Sequence, residues 1–140
     1  MRYMFNICEN LISLNLSSFN TNNVTNMRYM FFGCRKIKNL DLSFFDTKQV
    51  KDMKSMFNEC NNLNSLIISS FDTQNVTNMS AMFQNCFELN NLDLSFFNIN
   101  KVNNADGIFH GCQTNLIDKN KFIFKTFNIN DLTKFIPSYN

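Results

Sequence analysis

The 140-residue sequence contains no tryptophan, one proline, three glycines and one histidine. Each shortage removes a class of function. With so few glycines there is no glycine-rich loop to bring backbone N–H groups around a phosphate. His110 stands alone, and no Cys/His group has the close pairing that a zinc site needs. No nucleophile and base fall together in a recognisable catalytic pattern, so the chain is expected not to be an enzyme and to carry no cofactor or metal. Thirteen basic against eleven acidic residues give a net charge of +2, without the clustered basic surface that nucleic acid requires. No apolar run approaches the ~20 residues of a membrane-spanning helix. The first residues, Met1-Arg2-Tyr3-Met4-Phe5-Asn6-Ile7-Cys8, lack the apolar stretch of roughly 7–15 residues that marks an export signal.

What the chain does have is phenylalanine (17), methionine (8) and five cysteines, the latter at Cys8, Cys34, Cys60, Cys86 and Cys112, a constant step of 26. Self-similarity at such a step marks a repeat array, in which each unit buries its apolar face only against its neighbours. The units fall at 11–36, 37–62, 63–88 and 89–115, preceded by a partial unit at 1–10 and followed by a degenerate capping unit at 116–140, together one domain. Met1 holds the place of Met27, so the sequence opens in mid-repeat, as a piece of a longer array or with its end covered by a partner. An abundance of Asn, Lys and Ile reads as coding bias.

Each unit has three parts. Leu11/Leu14/Leu16/Phe19, Ile37/Leu40/Leu42/Phe45, Leu63/Leu66/Ile68/Phe71 and Leu89/Leu92/Leu94/Phe97 alternate with polar residues at a period of two, which predicts a short half-buried strand. Asn20-Thr21, Asp46-Thr47 and Asp72-Thr73 follow, suited to turns and to capping helix N-termini. Then come Val24/Met27/Met30/Phe31/Cys34 and their equivalents, ending in Val102/Ala105/Ile108/Phe109/Cys112, whose spacing predicts a short amphipathic helix. After Cys112 the register slips by four residues, and Lys119, Lys121 and Lys125 flank a last strand around Phe122, where charge discourages further pairing. Pro137 suits a stop.

Strands about 4.8 Å apart on one side and helices about 8–10 Å apart on the other would curve the array, strands on the concave side. The same spread would hold the cysteines beyond the ~4.4–6.8 Å Cα separation of a disulfide, leaving free, buried thiols.

The units LDLSFFDTKQVKDMKSMFNECNNL and LIISSFDTQNVTNMSAMFQNCFEL resemble the 26-residue repeat of BspA-like leucine-rich-repeat surface proteins, with Phe where the leucine-rich repeat usually has Asn or Cys. The resemblance covers roughly residues 1–117. It implies an α/β right-handed solenoid with short parallel strands on the concave side and short α or 3₁₀ helices on the convex side, displayed at the cell surface and engaged in adhesion or host-factor binding. Without an export signal in this sequence, a cytoplasmic location is the alternative. Solenoids bind partners on their extended strand face. The candidate face comprises Ser13, Asn15, Asn39, Asp41, Phe44, Ser65, Ile67, Asn91, Asp93 and Phe96, small polar groups with aromatic anchors suited to a protein or glycan. The alternative is a structural or intracellular protein that docks end to end through its uncapped N-terminal repeat, around Met1, Met4, Phe5 and Leu11.

Overall fold

A computed structural model describes residues 1–113 and Leu116. Apart from Leu116, the capping unit, with the lysine-flanked strand and Pro137, lies outside the described residues. The repeats are successive coils stacked in register. On one side β1 (Asn39–Asp41) and β2 (Ser65–Ile67) pair in parallel, Asn39 with Ser65, Leu40 with Leu66 and Asp41 with Ile67. Both strands bury only the central leucine, as their alternation requires. On the other side parallel bridges join Asn26 to Asp52, Asp52 to Asn78 and Asn78 to Asn104. Every pairing is offset by 26, so equivalent side chains form continuous columns.

The apolar stripes are buried in the second, third and fourth coils, as their spacing predicts, but segments 24–34, 50–60, 76–86 and 102–112 are not helices. Their N–H groups alternate between two uses. Tyr29, Phe31 and Gly33 donate to Lys54, Met56 and Asn58 of the next coil at 3.0, 2.9 and 2.8 Å, whereas Met30, Phe32 and Cys34 donate three residues back along their own chain. A helix sends every interior N–H along itself. Two residues per coil have left-handed backbone, which ends any helix: Tyr3, Tyr29, Ser55, Ala81 and Gly107 in one row, Ile7, Gly33, Glu59, Asn85 and Gly111 in the other. The three glycines of the chain all fall in these rows, where the missing Cβ removes the steric penalty.

The expectation of convex helices is thus corrected, and with it the reason for curvature. Coils held by backbone hydrogen bonds keep strand-like spacing on both sides. The rings of Phe5, Phe31, Phe57, Phe83 and Phe109 stack along the core with centroids 5.4 to 5.7 Å apart and planes within 9°. Burial of each such ring contributes about 1.5–3 kcal/mol, with about 0.5–1.5 more for the aromatic contact. The wide cysteine spacing expected from packed helices is corrected by the same observation. The thiols are free: those of Cys34, Cys60, Cys86 and Cys112 are buried and donate to the carbonyls of Phe5, Phe31, Phe57 and Phe83 at 2.9–3.1 Å.

The Asn/Asp-Thr pairs do two different jobs. The Asn20, Asp46, Asp72 and Asn98 side chains accept from the N–H two residues on, making tight turns rather than helix caps. Thr21, Thr47 and Thr73 are buried and face the next coil. The Thr47 hydroxyl donates to the Asp72 carbonyl at 2.9 Å and accepts the Asp72 N–H at 2.8 Å, and Thr21 and Thr73 repeat this with Asp46 and Asn98.

Candidate binding face

All ten candidate residues are solvent exposed. Strand alternation explains this, because Leu40 and Leu66 point into the core and their neighbours must point away. Pairing sets Asn39 beside Ser65 and Asp41 beside Ile67. Ile67, Asn91, Asp93 and Phe96 come together with Ser69 around one shallow depression floored by Leu66, Ile68 and Leu92. Asn39 lies apart from it, in a polar depression with Lys38, Asn62, Asn64 and Glu88. Ser13 and Asn15 belong to the first coil, where no strand pairing is formed, and Phe44 does not line either depression.

Within the face, backbone geometry fixes several polar groups. Asn15, Asp41 and Asp93 accept the N–H groups of Ser17, Ser43 and Ser95 at 3.0, 2.9 and 2.9 Å, so each carboxylate or amide is held in a turn. The backbone N–H of Ser43 and then its hydroxyl hold the Asp41 carboxyl below the usual carboxylate range. Ser70 hydrogen-bonds back to the Leu42 and Phe45 carbonyls at 3.2 and 3.0 Å. Phe44 is 59% exposed, Ile67 45% and Phe96 41%. Phe96 leans edge-on against the buried Phe97 ring, centroids 5.3 Å apart. A polar surface set with exposed apolar side chains can bind. Among the described residues no group of three His, Cys, Asp or Glu could hold a metal ion, and no helix is long and apolar enough to cross a membrane.

Several structural rows carry no signature in single residue types. Asn26, Asp52, Asn78 and Asn104 close a second turn in each coil by accepting the N–H of the residue two further on. Their step of 26 was the available signal, and it gives these Asn and Asp side chains a structural role. On the turn side, Tyr3 and Tyr29 stack at 5.1 Å with Arg2 and Arg28 against their rings, and Arg35 bridges Glu9 and Glu59 at 3.2 and 2.8 Å across three coils.

A family profile described as a Mycoplasma protein of unknown function, DUF285, matches residues 1–122. The chain belongs to the DUF285 family. Among solved structures, this DUF285 chain is similar to a leucine-rich repeat protein from Eubacterium ventriosum, with a TM-score of 0.54 and 18% identity over 79% of the chain. It spans only 27% of that protein's length. At this identity the likeness establishes a shared repeat-solenoid fold. A search of curated proteins finds no match.

Proposed function

We propose that the chain is a non-catalytic binding module of an adhesin-like surface protein, taking a protein or glycan ligand on its strand face. The observation that carries this reading is the depression around Ile67, Asn91, Asp93 and Phe96, where apolar anchors backed by the core stand among exposed amide, hydroxyl and carboxylate groups. Rigid aromatic anchors surrounded by polar contacts are where binding energy concentrates. Leucine-rich-repeat folds generally mediate interactions, and the likeness in fold supports the same role here. The resemblance of the repeats to BspA-like proteins is what supports surface display in this reading.

The test is a screen of the purified chain against arrayed host glycans and extracellular-matrix proteins, repeated with Phe96→Ala and Ile67→Ser. The reading expects either change to weaken a specific hit by about 1–2 kcal/mol or more while stability shifts by less than about 1 kcal/mol. Unaltered binding by both variants would remove the strand face as the site.

A further inference from the structure

The two depressions of the strand face differ in chemistry and adjoin each other. The first is lined by Lys38, Asn39, Asn62, Asn64 and Glu88, all polar and exposed. Just ahead of β2 the N–H groups of Asn64 and Ser65 share the Lys38 carbonyl, at 2.9 and 3.1 Å, which pins these coils together at the entrance to the strand pairing. The Asn62 amide donates to the Arg35 carbonyl at 2.7 Å, so its nitrogen and oxygen have defined places. Lys38 and Glu88 form no ion pair with each other. The second depression is floored by leucine and isoleucine and rimmed by Ile67, Asn91, Asp93 and Phe96. One row joins the two: Asn39 lines the first and pairs with the exposed Ser65, and Asn91, the next member of that row, lines the second. Along the strand, Asn64 and Ile67 are only about 10 Å apart. With volumes of about 400 and 330 Å³, each depression lies at the small end of ligand sites, and side by side they make one trough.

We infer that the two depressions are subsites for one neutral oligosaccharide, with a sugar ring against Phe96 and Ile67 and the hydroxyls of a further unit among the amides of Asn39, Asn62 and Asn64. This rests on the strand face being the binding surface, as proposed above, and names its ligand class. A hydroxyl both donates and accepts, and so does a carboxamide. Sugar hydroxyls therefore replace water on these amides one bond for one. The C–H face of a sugar ring is apolar and suits the exposed Phe96 ring. A protein partner fits less well, because its binding energy concentrates in aromatic and apolar anchors seated in dry pockets. The first depression offers no apolar side chain, and covering its amides and charges without partners costs free energy. Over the whole trough Lys38 stands against Glu88 and Asp93, one positive charge to two negative, which disfavours an anionic glycan.

The intact chain is titrated by calorimetry with cellohexaose, mannohexaose and chitohexaose, each beside its monosaccharide, and with hexagalacturonate as the anionic control. At least one neutral hexasaccharide is expected to bind, about tenfold or more tighter than its monosaccharide, because a single ring reaches one depression only. Phe96→Ala and Asn64→Ala, one in each depression, are each expected to weaken that binding by about tenfold or more with the circular dichroism melting curve unchanged. Extracellular-matrix proteins are titrated against the same variants. Weakening by both variants, with hexagalacturonate the poorer ligand, supports the proposal. Weakening by only one variant, or a monosaccharide as tight as its hexamer, overturns the joined trough and leaves the strand face as the site. Preference for hexagalacturonate overturns the neutral class. A matrix protein whose binding depends on Phe96, with no hexasaccharide bound, overturns the glycan assignment and leaves the strand face in place. Binding of neither class that responds to either variant overturns both readings.

Discussion

The left-handed rows allow a quantitative test of the coil geometry. Gly107 and Gly111 occupy the two rows at φ of 64° and 77°, and their surroundings differ. A Cβ on Gly107 meets only the His110 Cβ at 3.9 Å. A Cβ on Gly111 would lie 2.5 Å from the Asn85 Oδ1, 3.3 Å from the Phe87 ring and 3.4 Å from the Asn85 Cα. The Asn85 amide can swing aside, but its backbone cannot. Gly107→Ala should therefore cost only the left-handed penalty of about 1–2 kcal/mol, less the ~0.5–1 kcal/mol that alanine recovers by restricting the unfolded chain. Gly111→Ala adds overpacking of about 1–3 kcal/mol to the same balance. The reverse change, Ala81→Gly at φ of 55°, relieves the strain and should be neutral to stabilising by up to about 1 kcal/mol. Urea unfolding followed by circular dichroism gives the three values by linear extrapolation, and a 1 kcal/mol change corresponds to about 3–5 °C in Tm for a chain of this size. The order expected is Ala81→Gly, wild type, Gly107→Ala, Gly111→Ala, from most to least stable. Marked destabilisation by Ala81→Gly, or equal cost for the two alanine variants, would refute the assigned backbone.

The threonine column gives a second prediction. Thr47→Val keeps the shape but strips the Asp72 N–H and carbonyl of their shared partner, so a loss of about 2–4 kcal/mol is expected, whereas Thr47→Ser keeps the hydroxyl and should lose about 1 kcal/mol; comparable losses in the two urea curves would contradict the clasp. A third concerns alkali. Burial, then the neighbouring thiol, pushes Cys34 up to about 11, burial pushes Cys112 up to about 12, and Cys60 and Cys86 are raised by burial and by adjacent thiols. The folded state therefore keeps protons that the unfolded chain releases near pH 9, so the thiol contribution is complete below that value and is lost as pH climbs toward the raised values. The urea midpoint should fall between pH 9 and 11, and less steeply in Cys86→Ala, while an identical slope in that variant would exclude the thiols as its source.

The sequence made the 26-residue period and the buried rows readable because any stacked coil must repeat its core contacts. Met27, Met30, Phe31 and Cys34 are buried as their spacing requires, yet that spacing serves a helix and a chain of tight turns equally well. What separates the two is backbone sign. The residues that advertise it are Gly33, Gly107, Gly111 and Asn85, whereas Tyr29, Ser55 and Ala81 adopt the same conformation without that signature. The threonines read as caps because a hydroxyl's acceptor one coil away is invisible in one dimension. On the strand face the alternation identified exposed residues correctly. It could not foretell that Ile67 and Phe96 share a depression while Asn39 lies in another, since that depends on how neighbouring coils offset their side chains.

Residues 26 apart lie on adjacent coils joined by backbone hydrogen bonds on the turn side. The most direct test of this stacking is a scalar coupling measured by NMR across the hydrogen bond from the Phe57 amide nitrogen to the Met82 carbonyl carbon, which are 2.9 Å apart N to O, together with ring-to-ring contacts between Phe57 and Phe83. A coupling to Met82 with those ring contacts is the predicted result. Coupling of Phe57 instead to the carbonyl of Met53, four residues back along the chain, would restore the helix and contradict the stacked-coil account.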